Sequence, residues 1–487
     1  MRLAFDNAKY IRIQSEHIRE RIEQFGNKLY LELGGKLFDD MHASRVLPGF
    51  MPDSKLRMLT QLQDSLEIVI VISAEDIERN KVRQDLGITY DEDVLRLREE
   101  FMNRGFAVSS VVITHYAGQR SADAYRQRLE RKGIRVYYHY IIDGYPHNVD
   151  LIASEDGFGR NDYIETTQPL VIVTAPGPGS GKMAVCLSQL YNEQVRGREA
   201  GYAKFETFPV WNLPLKHPLN VAYEAATADL QDVNMIDPFH LEAYGKTAVN
   251  YNRDVEIYPV LDALFTSIYG TSPYKSPTDM GVNMVGFCIS DDEVCCQASR
   301  DEIIRRYYAA TNKLADGADN EREINKILML FSQAKLTTAY RRVTVAAAAK
   351  QELSGHSAAA MELDNGTVIT ANSSPLLGCS AALILNVVKH LAGIDHEVKL
   401  IPQSLIEPIQ KTKIEYLGGR NPRLHTDEVL VALSVLSPHD ERCRKALEQL
   451  PLLRGCQVHS TVMLSEVDHK IFKKLGCGLT CDPVRKK

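Results

Sequence analysis

Apolar and polar positions along the first 165 residues alternate between two periods. Residues 10–25 set Ile11, Ile18, Ile22 and Phe25 at helical spacing among charges, which predicts an amphipathic helix. Residues 28–33 (KLYLEL) read as a strand ending at Gly34-Gly35, and residues 67–73 (EIVIVIS) as a nearly continuous apolar strand. Further strands are predicted at 108–116 (VSSVVITHY) and 135–142 (RVYYHYII), with helices over 52–64, 91–104 and 121–132. Buried strands separated by helices of about 12 residues predict an α/β fold, a parallel sheet with helices on both faces. Ligands of such sheets bind beyond the carboxyl ends of the strands. That rule puts Gly34-Gly35, Asp76, His115-Tyr116 and Asp143 on the functional rim.

The stretch 168–197 joins this pattern with unusual chemistry. An apolar run, 170–175, enters a loop of Gly, Pro and Ser that ends in Gly181-Lys182, and a helix pattern follows from Met183. Strand, glycine loop, lysine and helix are the parts of a phosphate cradle. Backbone N–H groups and a helix N-terminus supply partial positive charge, and the lysine adds a full one. Gly177, Gly179, Ser180, Gly181 and Lys182 are the candidate binding residues for a phosphorylated small molecule or a nucleotide, with ATP one candidate cofactor. Two positions depart from the standard pattern. Pro176 stands where the first glycine belongs, and Met183 where a Ser or Thr hydroxyl holds Mg²⁺. The expectation is therefore phosphate binding without ordinary nucleotide hydrolysis; the alternative is a tight glycine turn with a solvated lysine. Asp143 has the shape of a Walker-B aspartate, or of a simple turn residue.

From 202 to 286 the periodicity fades. The stretch holds the single tryptophan, Trp211, and crowds polar side chains, which predicts irregular, site-building chain. His217, Asp237, His240 and Lys246 are the acid–base candidates here, chosen by residue type and clustering. Residues 291–350 read as a helical connector. A hairpin signal at Asp364-Asn365-Gly366 then opens a second, smaller α/β part. That part is expected to contain a helix over 377–391, a strand in HEVKLI (396–401), helices near 405–410 and 427–436, a strand in CQVHSTVML and a helix over 468–475. The domain scheme is thus 1–290 P-loop/Rossmann-like, 291–350 connector, and 351–487 C-terminal α/β. Arg420, Arg423 and His425 lie in a basic loop open to an anionic substrate or to plain solvation.

Composition narrows the function classes. The chain has 487 residues, 44% hydrophobic and 25% charged, with 57 basic and 63 acidic side chains and a net charge of −6. No basic block suggests a nucleic acid partner. No apolar run nears the roughly 18–20 residues of a membrane span. The first 25 residues carry four acidic side chains and lack a signal peptide's apolar core. Nine cysteines without framework spacing fit reduced thiols, so a cytoplasmic location is expected. No HExxH and no pair of CxxC motifs is present, so no metal ligands are assigned. Composition leaves a homo-oligomer open.

Several long stretches carry a resemblance: MRLAFDNAKYIRIQSEHIRERI, GGKLFDDMHASRVLPGF, VTAPGPGSGKMAVCLSQLY, KFETFPVWNLPLKHPLN, DVNMIDPFHLEAYGK, SPTDMGVNM, PRLHTDEVLVALS and LPLLRGCQVHSTVMLS. Over essentially its full length the sequence resembles a bacterial family known by a domain-of-unknown-function label. Some members bear a loose label of ATP-dependent zinc protease, which this sequence does not support because the metal motif is missing. The resemblance implies a two-part chain, a P-loop or Rossmann-like N-terminal portion and a separate C-terminal domain. Two functions stay in view: a nucleotide-dependent transferase or ligase acting on a small polar substrate, and a non-catalytic nucleotide-binding regulator or scaffold.

Overall fold

The structure is a computed structural model that describes residues 2–34, 37–38, 40–83 and 86–485. The chain divides into two compact units, Leu3–Glu224 with Asp232–Cys296, and Gln297–Lys487 with Ala225–Gln231 and Met1–Arg2.

The first unit is built on seven strands: β1 (Leu29–Leu33), β2 (Leu66–Ser73), β3 (Val108–Tyr116), β4 (Arg135–Tyr140), β5 (Leu170–Thr174), β6 (Gly201–Phe205) and β7 (Gly281–Val282). They form one sheet in the order β7-β6-β1-β5-β2-β3-β4, and every neighbouring pair is parallel. β1, β2 and β5 are buried along their whole length, as apolar strands covered on both faces must be. Flanking helices include α1 (Asn7–Gln24), α2 (Tyr90–Asn103), α3 (Lys182–Val195) and α4 (Asn252–Tyr269). The Asp6 carboxylate caps α1 by accepting the Lys9 N–H at 2.9 Å. α3 and α4 cover one face together. Val185, Leu187 and Leu190 of α3, with Leu261, Leu264 and Phe265 of α4, pack on Tyr30, Val69, Val171 and Tyr202.

Chain direction sets where a ligand fits. The chain winds from β2 out through β3 to β4, then returns to insert β5 between β1 and β2. It leaves the other way through β6 to β7. The reversal falls between β5 and β2, so the loop after β5 opens onto the crevice where parallel sheets take ligands. Asp143 follows β4, the edge strand, three places from β5, or about 14 Å by strand spacing. It is exposed in a turn, which removes the Walker-B expectation and leaves the turn. Asp76 sits in the short helix after β2, paired with Lys81 at 3.1 Å. Gly35 lies outside the described residues.

Residues 202–286 are more regular than their pattern suggests. They hold β6, β7, the helices Pro218–Ala226 and Pro238–Tyr244, the 18-residue α4, and a short antiparallel pair, Asn234–Ile236 with Val249–Tyr251. Pro259 inside α4 removes a ladder hydrogen bond and disguises the helical period.

The second unit contains α5 (Glu321–Ala334) and α6 (Arg342–Ser354), then a four-stranded sheet of β8 (Ala358–Glu362), β9 (Val368–Asn372), β10 (Gln457–Ser460) and β11 (Gly478–Cys481). Its order is β9-β8-β10-β11, with only the β10–β11 pair parallel. The hairpin at Asp364-Asn365-Gly366 joins β8 to β9, with Gly366 at φ 80°. α7 (Cys379–Leu391), α8 (Thr426–Leu436) and α9 (Glu466–Lys474) enclose a core that includes Met361, Leu383, Val387, Leu433, Val458 and Phe472. The strand expected at 396–401 is irregular chain instead. Lys389 Nζ donates to the His396 and Val398 carbonyls at 2.7 and 3.3 Å, so these acceptors find a side chain rather than a neighbouring strand.

A close approach fixes where β6 begins. A Cβ on Gly201 would lie 2.1 Å from the Phe25 ring at the end of α1. Gly201→Ala is expected to cost about 1–3 kcal/mol of stability by overpacking. Urea denaturation checks this; an unchanged midpoint would show that Phe25 moves freely.

Candidate functional site

The candidate site grows from the loop between β5 and α3. Gly179 and Gly181 adopt φ of 75° and 84°, left-handed values that strain residues with a Cβ. Gly181 is the N-cap of α3 and offers no side chain to it, so the first N–H groups of the helix have no side-chain cap. Neighbouring elements clamp the loop. Thr114 Oγ1 of β3 donates to the Ser180 carbonyl at 2.6 Å. A Cβ on Gly177 would meet the Tyr90 hydroxyl of α2 at 2.3 Å. The Ser180 hydroxyl is buried with no hydrogen-bond partner. Met183 packs against the apolar core beneath α3, which accounts for a thioether where a hydroxyl was expected.

Lys182 opens α3 and brings its ammonium within 3.8 Å of Glu32 Oε1 on β1. Glu32 Oε2 accepts the Tyr202 hydroxyl at 2.8 Å. Parallel register sets Glu32 directly beside Lys204 of β6. The Lys204 ammonium donates to Asp254 and to the Tyr251 hydroxyl, and lies 3.0 Å from Glu206. Tyr251 in turn donates to Glu206 Oε1 at 3.3 Å. Tyr251 is the N-cap residue of α4 and Asp254 lies in its first turn. Two helices therefore begin at one polar cluster, and their positive ends favour its carboxylates.

This arrangement perturbs its members. Burial works against the Lys204 ammonium, yet Asp254, Tyr251 and Glu206 raise its pKa well above the usual range. Burial pushes the Glu206 carboxyl up to about 7 against the pull of Lys204, with Asp254 adding to the rise. Burial also holds the Tyr251 phenol well above its ordinary value. The five charged side chains keep 10–13% exposure, so solvent reaches the cluster.

The acid–base candidates from the sequence fall in separate places. Asp237 accepts the His240 N–H at 3.0 Å and the Thr278 N–H and hydroxyl at 3.2 and 2.6 Å, capping one helix and clamping a second segment. His240 Nδ1 meets Ser276 Oγ at 3.1 Å, and its ring packs edge-on near Trp211. His217 pairs with Asp292 at 3.1 Å, with Cys296 Sγ at 3.5 Å. Lys246 is exposed beyond the end of the Pro238–Tyr244 helix. So Asp237 and His240 share a cluster, while His217 and Lys182 each belong to another.

Metal chemistry has one geometric candidate among the described residues: ligand atoms of His217, Asp292 and Cys296 lie within 4.8 Å of one another. Its hydrogen bonding argues against that use. His217 Nδ1 accepts the Leu219 N–H at 3.2 Å, so the neutral ring turns an N–H, not a lone pair, toward Asp292 and Cys296. In the second unit, Arg423 Nε donates to the Ser374 carbonyl at 2.7 Å and His425 Nδ1 meets Asp468 at 3.0 Å, contacts that tie the basic loop down. Arg420 is exposed.

Sequence reasoning passed over Glu32, Glu206, Tyr251 and Asp254 as site residues. One signal was present: Glu32 is a charge inside the apolar strand KLYLEL, and buried charges are the informative exceptions. No helix among the described residues is long and apolar enough to cross a membrane.

The family model described as domain of unknown function DUF1846, N-terminal, matches residues 3–335, and its C-terminal counterpart matches 339–487. A UPF0371 protein of Corynebacterium aurimucosum is 57% identical over 483 residues, covering 99% of this chain and 97% of its own. One from Streptococcus thermophilus is 53% identical over 480 residues, with the same shares covered. Another, from Corynebacterium diphtheriae, is 55% identical over 482 residues, again with 99% and 97% covered.

Two outcomes follow from the site's packing. Thr114→Val deletes the hydroxyl that holds the Ser180 carbonyl and is expected to cost about 1 kcal/mol, read from urea midpoints. Glu206 has a folded pKa of about 7 against an ordinary 4.5. Its contribution to stability is therefore whole below about pH 4.5 and is lost as pH rises through about 7. Glu206→Gln should gain on the wild type between about pH 5 and about pH 8, by on the order of 2 kcal/mol. A pH-independent difference between the two denaturation curves would contradict this.

Proposed function

The chain belongs to the DUF1846 family, and from that premise we propose that it binds a nucleotide or a phosphorylated small molecule at the loop 175–182. The observation that carries this reading is the placement of a glycine loop and Lys182 at the head of α3, at the reversal point of a parallel sheet. Anions favour such a point because uncapped N–H groups and the helix dipole face them. The partnerless, buried Ser180 hydroxyl supports the reading, since a phosphate oxygen would satisfy it. The anion would displace Glu32 as the partner of Lys182. Phosphoryl transfer or ligation on a small polar substrate is the reaction class proposed. In it, Asp237 and His240 shape the structure around Trp211, where the Asp237 carboxylate and His240 Nδ1 are already engaged.

A second reading, a nucleotide-binding regulator without turnover, is favoured by Met183. Its packing into the core leaves no hydroxyl for Mg²⁺ at the position after the lysine. Either protein would work in the cytoplasm, a proposal supported by nine cysteines without a disulfide.

Thermal unfolding with ATP, GTP or inorganic pyrophosphate, each with and without Mg²⁺, tests the reading. A ligand at about 100 times its Kd should stabilise the wild type by about 2.7 kcal/mol. Lys182→Ala should lose most of that gain. Equal stabilisation of the variant by every ligand would overturn the anion site, and turnover of a labelled nucleotide would overturn the regulator.

A further inference from the structure

The cluster beyond Lys182 sets three carboxylates, Glu32, Glu206 and Asp254, against two ammonium groups, Lys182 and Lys204. Resting on the anion-site reading above, we propose that Glu206 is the proton-carrying residue of that site. An anion entering beside Lys182 is bound together with a proton, and Glu206 takes it.

The argument begins with charge. A surplus negative charge in a nearly closed cluster is costly, and a shared proton relieves it. The groups facing Glu206 decide which carboxylate holds that proton. Lys204 faces it from β6, Asp254 from α4, Tyr251 from the N-cap of α4, and Tyr223 from the Pro218–Ala226 helix. Glu32 on β1 and Lys182 on α3 complete the ring of charge. Asp254 has the closest share of Lys204 and sits at the positive end of α4. Glu32 lies between both lysines and accepts the Tyr202 hydroxyl. Glu206 is left with a more distant share of Lys204 and one long hydrogen bond from Tyr251. Its share of Lys204 is longer than that of Asp254, and its phenol hydrogen bond is longer than the one Tyr202 gives Glu32. Its upward shift to about 7 agrees with that comparison.

The anion supplies the coupling. When it draws Lys182 away, Glu32 loses one of its two cations and leans on Lys204, which Glu206 shares. The anion adds its own charge as well. Both changes raise the affinity of Glu206 for a proton, and its 12% exposure lets the proton come from solvent. The ligand class that fits is a dianionic phosphate ester, held best on the acid side of neutrality.

Sulfate is the probe, because it is a dianion that does not titrate near neutrality. Calorimetric titration of the full chain with sulfate near pH 7.5, in buffers of different ionisation enthalpy, reads protons taken up per anion bound. The wild type should take up roughly half a proton, and its affinity should fall several-fold between about pH 6.5 and about pH 8.5. Glu206→Gln should bind sulfate with no proton uptake and a flat pH profile. An infrared difference spectrum of the wild type should gain a protonated-carboxyl band on adding sulfate, a readout that needs no variant. Sulfate binding without proton uptake, without that band, or with uptake unchanged in Glu206→Gln overturns the proton role alone. Absence of sulfate binding at every pH, in the wild type as in Lys182→Ala, overturns the anion site and the proton role together.

Discussion

An ammonium group taken out of water must be met by negative charge and by hydrogen-bond acceptors, and Lys204 is where this protein meets that demand. Asp254 and Tyr251 accept its hydrogen bonds, Glu206 pairs with it at 3.0 Å, and Glu32 lies beside it in the neighbouring strand. These residues come from β1, β6 and the start of α4, and Glu32 reaches on to Lys182 at the start of α3. One charge requirement thus joins two strands and two helix N-termini at a single edge of the sheet. Removing one partner would leave an uncompensated buried charge, a loss larger than that of an exposed pair.

The glycine loop depends on the same edge. Its conformation is set by neighbours: Thr114 holds the Ser180 carbonyl, Tyr90 leaves no room for a Cβ on Gly177, and Met183 anchors the first turn of α3 in the core. A loop clamped in this way can present its N–H groups without reorganising. The Met183 departure goes with packing: its side chain lies against the core cluster beneath α3.

Much of this was legible beforehand. The runs at 67–73 and 108–116 became β2 and β3 almost residue for residue, because β2 is buried throughout and β3 along its middle, and such stretches must be apolar. The Asp364-Asn365-Gly366 turn was equally plain, since few sequences tolerate φ above zero. Other segments misled. HEVKLI has the alternation of a strand, but Lys389 captures its carbonyls from outside. α4 reads as irregular because Pro259 interrupts a helix that packing against Tyr30 and Tyr202 sustains.

By itself the sequence determined the parallel sheet, the strand–glycine loop–helix unit with its lysine, and the place of the chain in its family. Periodicity, glycine positions and long matching stretches are local properties, so they survive without coordinates. Only the tertiary structure decided that β5 enters between β1 and β2, which places the loop at the reversal point and leaves Asp143 at the sheet's far edge. It alone brought Glu32, Lys182, Lys204, Glu206 and Asp254 together, and it alone gave Asp237 and His240 their engaged partners. The reason is physical: these groups lie up to 222 positions apart in the chain, from Glu32 to Asp254, and only strand register and helix placement bring them to one edge.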